Sequence, residues 1–220
     1  MSDKPIPLLR QDRVNKLFDQ LAAEIVPETE LKWNTPLNLV IAVVLSAQCT
    51  DKMVNKATAE LFERCKTTSD YLALGEDQLR HAIRSIGLYK SKAKNVIGLC
   101  ERMQDVFHDE IPDNRKDLQS LPGVGRKTAN VVLNVLFAQP TLAVDTHIFR
   151  LGNRLGLVRA KNPDQTEQML LKRIPAEHLR DAHHYLILHG RYVCKARRPE
   201  CWRCSVVDYC NYRNKELTAP

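Results

Sequence analysis

Helical periodicity runs through nearly all of this 220-residue chain and predicts an all-α fold with short loops. Apolar residues recur at i, i+3, i+4 and i+7, whereas no stretch shows the period of two that is typical of a half-buried strand. Segments 37–47 and 129–137 are apolar on most sides, which indicates central, buried helices. Amphipathic stripes predict further helices over residues 14–25, 79–86 (ended by Gly87), 93–107, 170–174 and 179–187.

Composition excludes several classes of protein. With 44% apolar residues and only 8 Gly and 11 Pro, the chain is neither disordered nor of low complexity. No apolar run approaches the ~20 residues that a membrane-spanning helix needs. The N-terminal segment is charged and lacks the apolar core of a secretory signal, and its acidic residues argue against a transit peptide. We therefore expect a cytoplasmic protein with no membrane partner.

The net charge of +7 is concentrated in two runs. Residues 191–215 hold seven basic and two acidic side chains, and residues 78–100 hold five basic ones and no acidic one. Together the runs carry +10, so the rest of the chain sums to −3. One basic run is explained by a solvated helix face, but two such patches favour a polyanionic partner. The basic residues of the 78–100 run are Arg80, Arg84, Lys90, Lys92 and Lys94.

Four of the seven cysteines lie within seventeen residues, with the spacing C-x6-C-x2-C-x5-C. The other three fall in apolar or helical patterns, which is typical of small buried side chains. Crowded thiolates in a reducing compartment indicate a metal centre. Structural zinc usually takes two tight pairs, so one short and two longer gaps favour an iron–sulfur cluster, with zinc as the alternative. The segment beyond Cys194 lacks periodicity, and we expect it to depend on this centre for order.

Residues 115–137 predict two helices joined by a tight turn. Gly123 and Gly125 flank the turn, and the second helix is expected to begin near Arg126. Glycines let backbone N–H groups approach an anion, and the helix N-terminus adds partial positive charge. Such a turn would bind a phosphate without contacting the edge of a base. An ordinary connection between two helices has the same pattern and is the alternative.

Lys127 and Asp145 form a candidate reactive pair. Lys127 falls in the first turn of the second helix, where the helix dipole and partial burial are expected to favour the neutral amine that nucleophilic or Schiff-base chemistry requires. A phosphate-binding surface lysine is the alternative. Asp145 predicts a helix N-cap, which keeps a carboxylate ionised. An ionised aspartate can stabilise positive charge developing at a sugar carbon that the amine attacks.

These motifs together resemble a known family. LPGVGRKTA, VDTHIFR and the four-cysteine tail are similar to the iron–sulfur-type helix-hairpin-helix DNA glycosylases of the endonuclease III family, and the similarity extends through LSAQCTD, IGLYKSKAKN and HGRYVC. The resemblance implies a base-excision-repair DNA glycosylase that removes oxidised pyrimidines. It also implies AP lyase activity, in which a Schiff base on Lys127 leads to β-elimination on the 3′ side of the abasic site.

The resemblance further implies a role for individual residues. Lys127 is expected to be the nucleophile and Asp145 the carboxylate that assists base loss. The implied cofactor is a [4Fe–4S] cluster held by Cys194, Cys201, Cys204 and Cys210. Damaged or abasic double-stranded DNA is the implied partner of a monomer, and the residues expected to contact it are Gln48, Ile86, Leu88, Gly123, Gly125, Lys195, Arg197 and Arg198. Gln48 and Leu88 would fill the gap left when the target nucleotide is flipped out of the stack.

The family architecture is two helical lobes with the DNA cleft between them. The six-helix barrel is expected over residues 29–140, with the helix-hairpin-helix at 115–135. The iron–sulfur lobe is expected to combine residues 1–28 with 141–220, with the cluster loop at 194–210.

Three alternatives share some of these features. An adenine- or thymine-mismatch glycosylase of the same superfamily is one, although the adenine-specific relatives lack the lysine and carry an extra C-terminal domain. A non-catalytic DNA-binding module would use the hairpin but needs no neutral amine. An electron-transfer protein would explain the cluster but neither the hairpin nor the basic surface.

Overall fold

The computed structural model describes residues 6–219 and is helical throughout, which confirms the predicted all-α class. No helix in this described part is long and apolar enough to cross a membrane. The α-helices of the described residues are α1 (Gln11–Glu24), α2 (Pro36–Leu45), α3 (Asp51–Arg64), α4 (Thr68–Ala82), α5 (Tyr89–Phe107), α6 (Arg115–Leu118), α7 (Arg126–Phe137), α8 (Thr146–Leu155), α9 (Pro163–Leu171) and α10 (Ala182–Tyr192), and three short 3₁₀ helices follow α9 and α10 at Ala176–His178, Cys201–Arg203 and Val207–Tyr209.

The chain divides by its internal contacts into two compact units. One is Thr29–Gln139, and the other combines Met1–Glu28 with Pro140–Pro220. The sequence analysis placed the boundaries at residues 29 and 140, and we keep them as a proposal for the two folding domains. Residues 1–5 and 220 of the predicted iron–sulfur lobe lie outside the described residues.

The first unit is built around α2. Every residue of this helix from Leu37 to Leu45 is buried, as the apolar pattern predicted. Burial of each of its Leu, Ile and Val side chains is worth about 2 kcal/mol relative to exposure. Helix α7 packs against α2, and its buried positions include Ala129, Val132 and Leu133, while its other apolar residues are partly exposed. A fully buried α2 therefore forms the centre of this core.

One predicted helix end is wrong. The stripe over 79–86 was expected to continue to Gly87, but α4 ends at Ala82. The chain then turns, with hydrogen bonds from Arg84 N to His81 O and from Ile86 N to Ile83 O. Ile83 and Ile86 are both buried in the core, so the apolar spacing reflects packing of a turn as well as of a helix.

A polar network crosses the core of the first unit. Asn38, on buried α2, accepts a hydrogen bond at Oδ1 from the hydroxyl of Tyr71, 2.6 Å away. Its Nδ2 donates to Oδ1 of Asn34 (2.7 Å) and to the carbonyl oxygen of Cys65 (3.0 Å). Both Asn38 and Tyr71 are fully buried, and burial raises the pKa of the tyrosine. The amide thus provides hydrogen-bond partners for two buried residues, Tyr71 and Cys65, and a third bond reaches Asn34, which is exposed.

The second unit joins the N-terminal segment to the cysteine-rich tail. Leu9 N donates to the carbonyl oxygen of Gly156 (2.8 Å), and Asn211 Nδ2 donates to that of Pro7 (2.9 Å). Gly156 has φ +84°, and a Cβ there would lie 2.6 Å from the Pro7 oxygen, so only glycine fits. Lys215 Nζ also donates to Val207 O. The tail was expected to depend on a metal centre for order, but these bonds anchor it as well.

The network around Asn38 makes a stability prediction. Asn38→Ala should lower the free energy of unfolding by about 3 kcal/mol, because it leaves the buried Tyr71 hydroxyl and Cys65 carbonyl short of a partner and removes a buried side chain. Tyr71→Phe removes a single hydrogen bond and should cost about 1 kcal/mol. Urea unfolding of both variants measures the difference. Equal losses would contradict a network centred on Asn38.

Candidate functional site

The predicted hairpin is present in the first unit. Helix α6 is a single turn, and α7 begins at Arg126, as predicted. Gly123 has φ +79°, and a Cβ there would lie 3.0 Å from Cβ of Asn95 and 3.1 Å from Cγ1 of Val44. The turn is therefore packed directly on α2 and α5. Gly125 is the N-cap of α7 and provides no side-chain cap, and a Cβ there would meet no atom within 4 Å.

Lys127 is the second residue of α7, and its side chain is exposed. The prediction of partial burial is wrong, because the side of α7 that meets the core begins only at Ala129 and Asn130. The amine therefore lies at the head of a helix, directly after the glycine turn and open to solvent. This position leaves it accessible to a macromolecular substrate.

Asp145 is the N-cap of α8 in the second unit, which confirms that prediction. Its Oδ1 accepts a hydrogen bond from Ile148 N at 2.8 Å, and the side chain is half-buried. The cap uses one carboxylate oxygen and keeps the group at the head of the helix.

Gln48 and Leu88 occupy two adjacent turns of the first unit. Both side chains are exposed, Leu88 to 61%, and both backbones are left-handed, with φ of +54° and +59°. The Gln48 carbonyl oxygen lies 3.9 Å from where a Cβ of Gly87 would be, so the two turns meet. Each non-glycine residue in this conformation costs about 1 kcal/mol or more. An exposed leucine on a strained turn is a feature often found at binding sites.

Ile86 does not join this surface. It was expected to contact DNA with Gln48 and Leu88, but its side chain is 1% exposed and belongs to the hydrophobic core. The turn that projects Leu88 outward points Ile86 inward. We correct its role to that of a core residue.

The basic run over 78–100 offers fewer exposed cations than its five basic residues suggest. Arg80 forms ion pairs with Glu76 and Asp77 on its own helix. Lys92 is buried, and its Nζ donates to the carbonyl oxygens of Leu45 and Ala47. The exposed cations that remain in this run are Arg84, Lys90 and Lys94.

The four clustered cysteines line one recess in the second unit, together with apolar side chains such as Val193 and Val207. Nitrogen atoms surround the sulfurs. Arg154 Nη1 lies 3.5 Å from Cys194 Sγ, Tyr212 N donates to Cys210 Sγ (3.3 Å), and Nε2 of His189 lies 3.6 Å from Cys204 Sγ. Such contacts are typical of thiolate ligands in iron–sulfur proteins.

The recess fits the ligand set of an iron–sulfur cluster. All four clustered cysteines line the same space, and four thiolates with apolar neighbours are the ligands that such a cluster takes. Cys65 and Cys100 are buried elsewhere, as predicted, and burial raises the pKa of Cys100 to about 12. Cys49 was also expected to be buried, but it is only half-buried.

Two arginines that the sequence does not mark as functional, Arg150 and Arg154, hold the cluster loop. Arg150 Nη2 donates to the carbonyl oxygens of Gly190 and Cys194, and Arg154 donates to those of Lys195 and Ala196. The guanidinium of Arg154 also lies 4.7 Å from the ring centre of Tyr212. Their i, i+4 spacing places both arginines on one face of α8. This spacing is the sequence feature from which their shared role could have been predicted.

Two of the tail's basic side chains already have partners. Glu200 forms ion pairs with Lys195 and Arg203, and these contacts lower the pKa of its carboxyl group. Arg197 and Arg198 are exposed in the same loop.

Comparison with known proteins shows the family of this chain. The family model of the HhH-GPD superfamily base excision DNA repair proteins matches residues 41–176, and that of the iron-sulfur binding domain of endonuclease III matches residues 194–210. Endonuclease III of Rickettsia felis is 51% identical over 205 residues, 93% of this chain and 96% of the relative. Endonuclease III of Escherichia coli K12 is 52% identical over 189 residues, 86% and 90% of the two chains.

This chain belongs to the endonuclease III family. The predicted resemblance is confirmed, and with it the enzyme class: the chain is a base-excision DNA glycosylase and AP lyase that carries a [4Fe–4S] cluster.

Solved structures agree with this assignment. A trapped endonuclease III–DNA covalent intermediate superposes with a TM-score of 0.86 at 44% identity, and it covers 92% of this chain and 96% of the other. A thermostable thymine-DNA glycosylase, at 23% identity and a TM-score of 0.77 over 90% and 94% of the two chains, shares the fold.

The two hairpin glycines make a stability prediction. Gly123→Ala should lower the free energy of unfolding by about 2 kcal/mol, because the alanine is strained at positive φ and crowds Val44 and Asn95. Gly125→Ala, with φ −87° and open space around it, should change stability by less than about 1 kcal/mol. Thermal unfolding of the two variants provides the comparison. A Gly125→Ala loss as large as that of Gly123→Ala would contradict the packing described here.

Proposed function

We propose that Lys127 is the nucleophile of this glycosylase and lyase. The observation that carries the proposal is its exposed position in the first turn of α7, directly after the glycine turn. The amine attacks C1′ of the damaged nucleotide, and the electrons of the broken glycosidic bond leave with the base, which takes up a proton. Ring opening gives a Schiff base between Nζ and C1′. Loss of a C2′ proton then expels the 3′ phosphate, which cleaves the strand.

Asp145 is the carboxylate that assists base loss. Its Oδ1 is held by Ile148 N, so Oδ2 remains to stabilise the positive charge that develops on the sugar as the base departs. The N-cap therefore positions the group without neutralising it.

The hairpin turn and the cluster loop bind the DNA backbone. The head of α7, without a side-chain cap, offers N–H groups and partial positive charge to a phosphate close to Gly123 and Gly125. Arg197 and Arg198, with Lys195 beside them, contact further phosphates. Such contacts provide affinity that does not depend on sequence.

The four cysteines Cys194, Cys201, Cys204 and Cys210 hold the [4Fe–4S] cluster. The cluster would have a structural role: it would fix the shape of the loop that binds DNA and take no part in the base-excision chemistry.

The substrate is duplex DNA with an oxidised pyrimidine or an abasic site. C1′ is shielded while the nucleotide is stacked, so the target is flipped out of the duplex. The exposed, strained pair Gln48 and Leu88 fills the resulting gap. The enzyme acts as a monomer in the bacterial cytoplasm, which is consistent with its bacterial relatives.

Borohydride trapping tests the role of Lys127. On an abasic duplex the wild-type protein should form a covalent adduct after reduction, and Lys127→Gln should form none and lose strand cleavage by about a hundredfold or more. Lys161→Gln, which removes an exposed lysine from a loop of the second unit, serves as the control and should form the adduct normally. Strand cleavage by wild-type protein without a trappable adduct would reject the Schiff-base route.

Two substitutions of Asp145 distinguish its role as a helix cap from the role of its charge in base release. Asparagine caps helices as well as aspartate, so Asp145→Asn should keep the fold and the DNA affinity while base release slows about a hundredfold. Asp145→Ala should in addition lose about 1 kcal/mol of stability. Single-turnover release of an oxidised pyrimidine is the measurement. Undiminished release by Asp145→Asn would refute the assignment.

A further inference from the structure

Lys92 is buried within a run of exposed cations. Its side chain is 4% exposed, whereas Lys90 and Lys94 on the same helix α5 are exposed. Burial lowers the pKa of Lys92, and a buried amine is costly unless it has hydrogen-bond partners. The residue therefore has a role other than contributing to surface charge.

The Nζ atom of Lys92 binds the end of α2. It donates to the carbonyl oxygen of Leu45 at 2.9 Å and to that of Ala47 at 2.6 Å. Leu45 is the last residue of α2, and carbonyls at a helix C-terminus lack intrahelical partners and carry partial negative charge. Ala47 directly precedes Gln48. The amine thus fixes the backbone from which Gln48 projects.

The backbone of Lys92 binds the other turn. Its N–H donates to the carbonyl oxygen of Leu88 at 3.0 Å, which closes the first turn of α5. One residue is therefore bonded both to the turn that carries Leu88 and, across 45 and 47 positions of sequence, to the turn that carries Gln48.

We infer that Lys92 is a positioning residue that holds the Gln48 and Leu88 turns in one fixed relation, so that both side chains enter the gap in the duplex together. The inference rests on the proposed role of these two residues in filling that gap. Lys92 itself does not touch DNA, because its side chain is buried and its donors face protein carbonyls. Two strained turns bonded to one residue, one through its side chain and the other through its backbone N–H, are preorganised for the flipped-out state.

Binding to two duplexes tests the inference. Lys92→Met keeps the aliphatic stem and removes the donors. We expect it to weaken binding to a duplex with a tetrahydrofuran abasic analogue at least tenfold, while its affinity for the intact duplex changes less than twofold. The matched control is Lys56→Met, which removes an exposed lysine from α3 of the same unit and should leave both affinities within twofold of wild type.

Salt dependence separates positioning from phosphate contact. A lost phosphate contact lowers the slope of log affinity against log salt by about one. We expect the Lys92→Met slope to equal that of wild type. A reduced slope, or equal losses on both duplexes, would overturn the inference.

A double-mutant background provides the second test. If Lys92 acts through the two turns, Lys92→Met should have little further effect in the Gln48→Ala/Leu88→Ala protein. A full tenfold loss in that background would overturn the inference. Visible absorption of the cluster and the melting temperature report the fold. Where Lys92→Met does not fold, Lys92→Gln, which keeps an NH2 group as donor on a shorter side chain, should show an intermediate loss. A different result would overturn the proposed function itself: wild-type protein that binds the abasic duplex no more tightly than the intact one.

Discussion

The buried helix α2 is the constraint on which the hairpin and the two strained turns of the first unit depend. Its side chain Val44 is in contact distance of the hairpin turn at Gly123, and its terminal carbonyl at Leu45 accepts from Lys92. The turn that carries Gln48 leaves directly from its end. A helix that is buried on all sides cannot shift without opening the core, since protein interiors are close-packed. The hairpin turn and the turns that carry Gln48 and Leu88 are therefore all positioned by one rigid helix.

In the second unit, too, a packed helix fixes a loop through side-chain donors, which here are arginines. Helix α8 holds Asp145 at its head, and Arg150 and Arg154 further along it bind backbone carbonyls of the cluster loop. In both units a cationic side chain on a packed helix fixes an irregular segment through main-chain oxygens. Such bonds hold the backbone of a loop and leave its side chains available for substrate.

The sequence predicted the helices, the helix cap at Asp145 and the grouping of the four cysteines better than it predicted exposure. The buried α2, the cap at Asp145 and the cysteine recess follow from local pattern, since periodicity, capping and spacing are properties of neighbouring residues. The burial of Lys92 and Ile86, and the exposure of Lys127, depend on tertiary neighbours. A lysine beside other lysines looks like part of a charged surface until the carbonyls of a distant helix end are known to face it.

Electrostatics alone cannot account for selective recognition by this chain. The tail carries a formal +5 over residues 191–215, and a cluster with four thiolates brings about −2, so roughly +3 remains. Glu200 pairs with Lys195 and Arg203, and Lys92 of the other basic run is buried and adds no surface charge. Phosphate contacts are also the same on damaged and intact duplexes, so they raise affinity for both alike. In the function proposed above, discrimination therefore comes from filling a vacated position in the stack, and the exposed Gln48 and Leu88 on their strained turns are the residues that we propose for it.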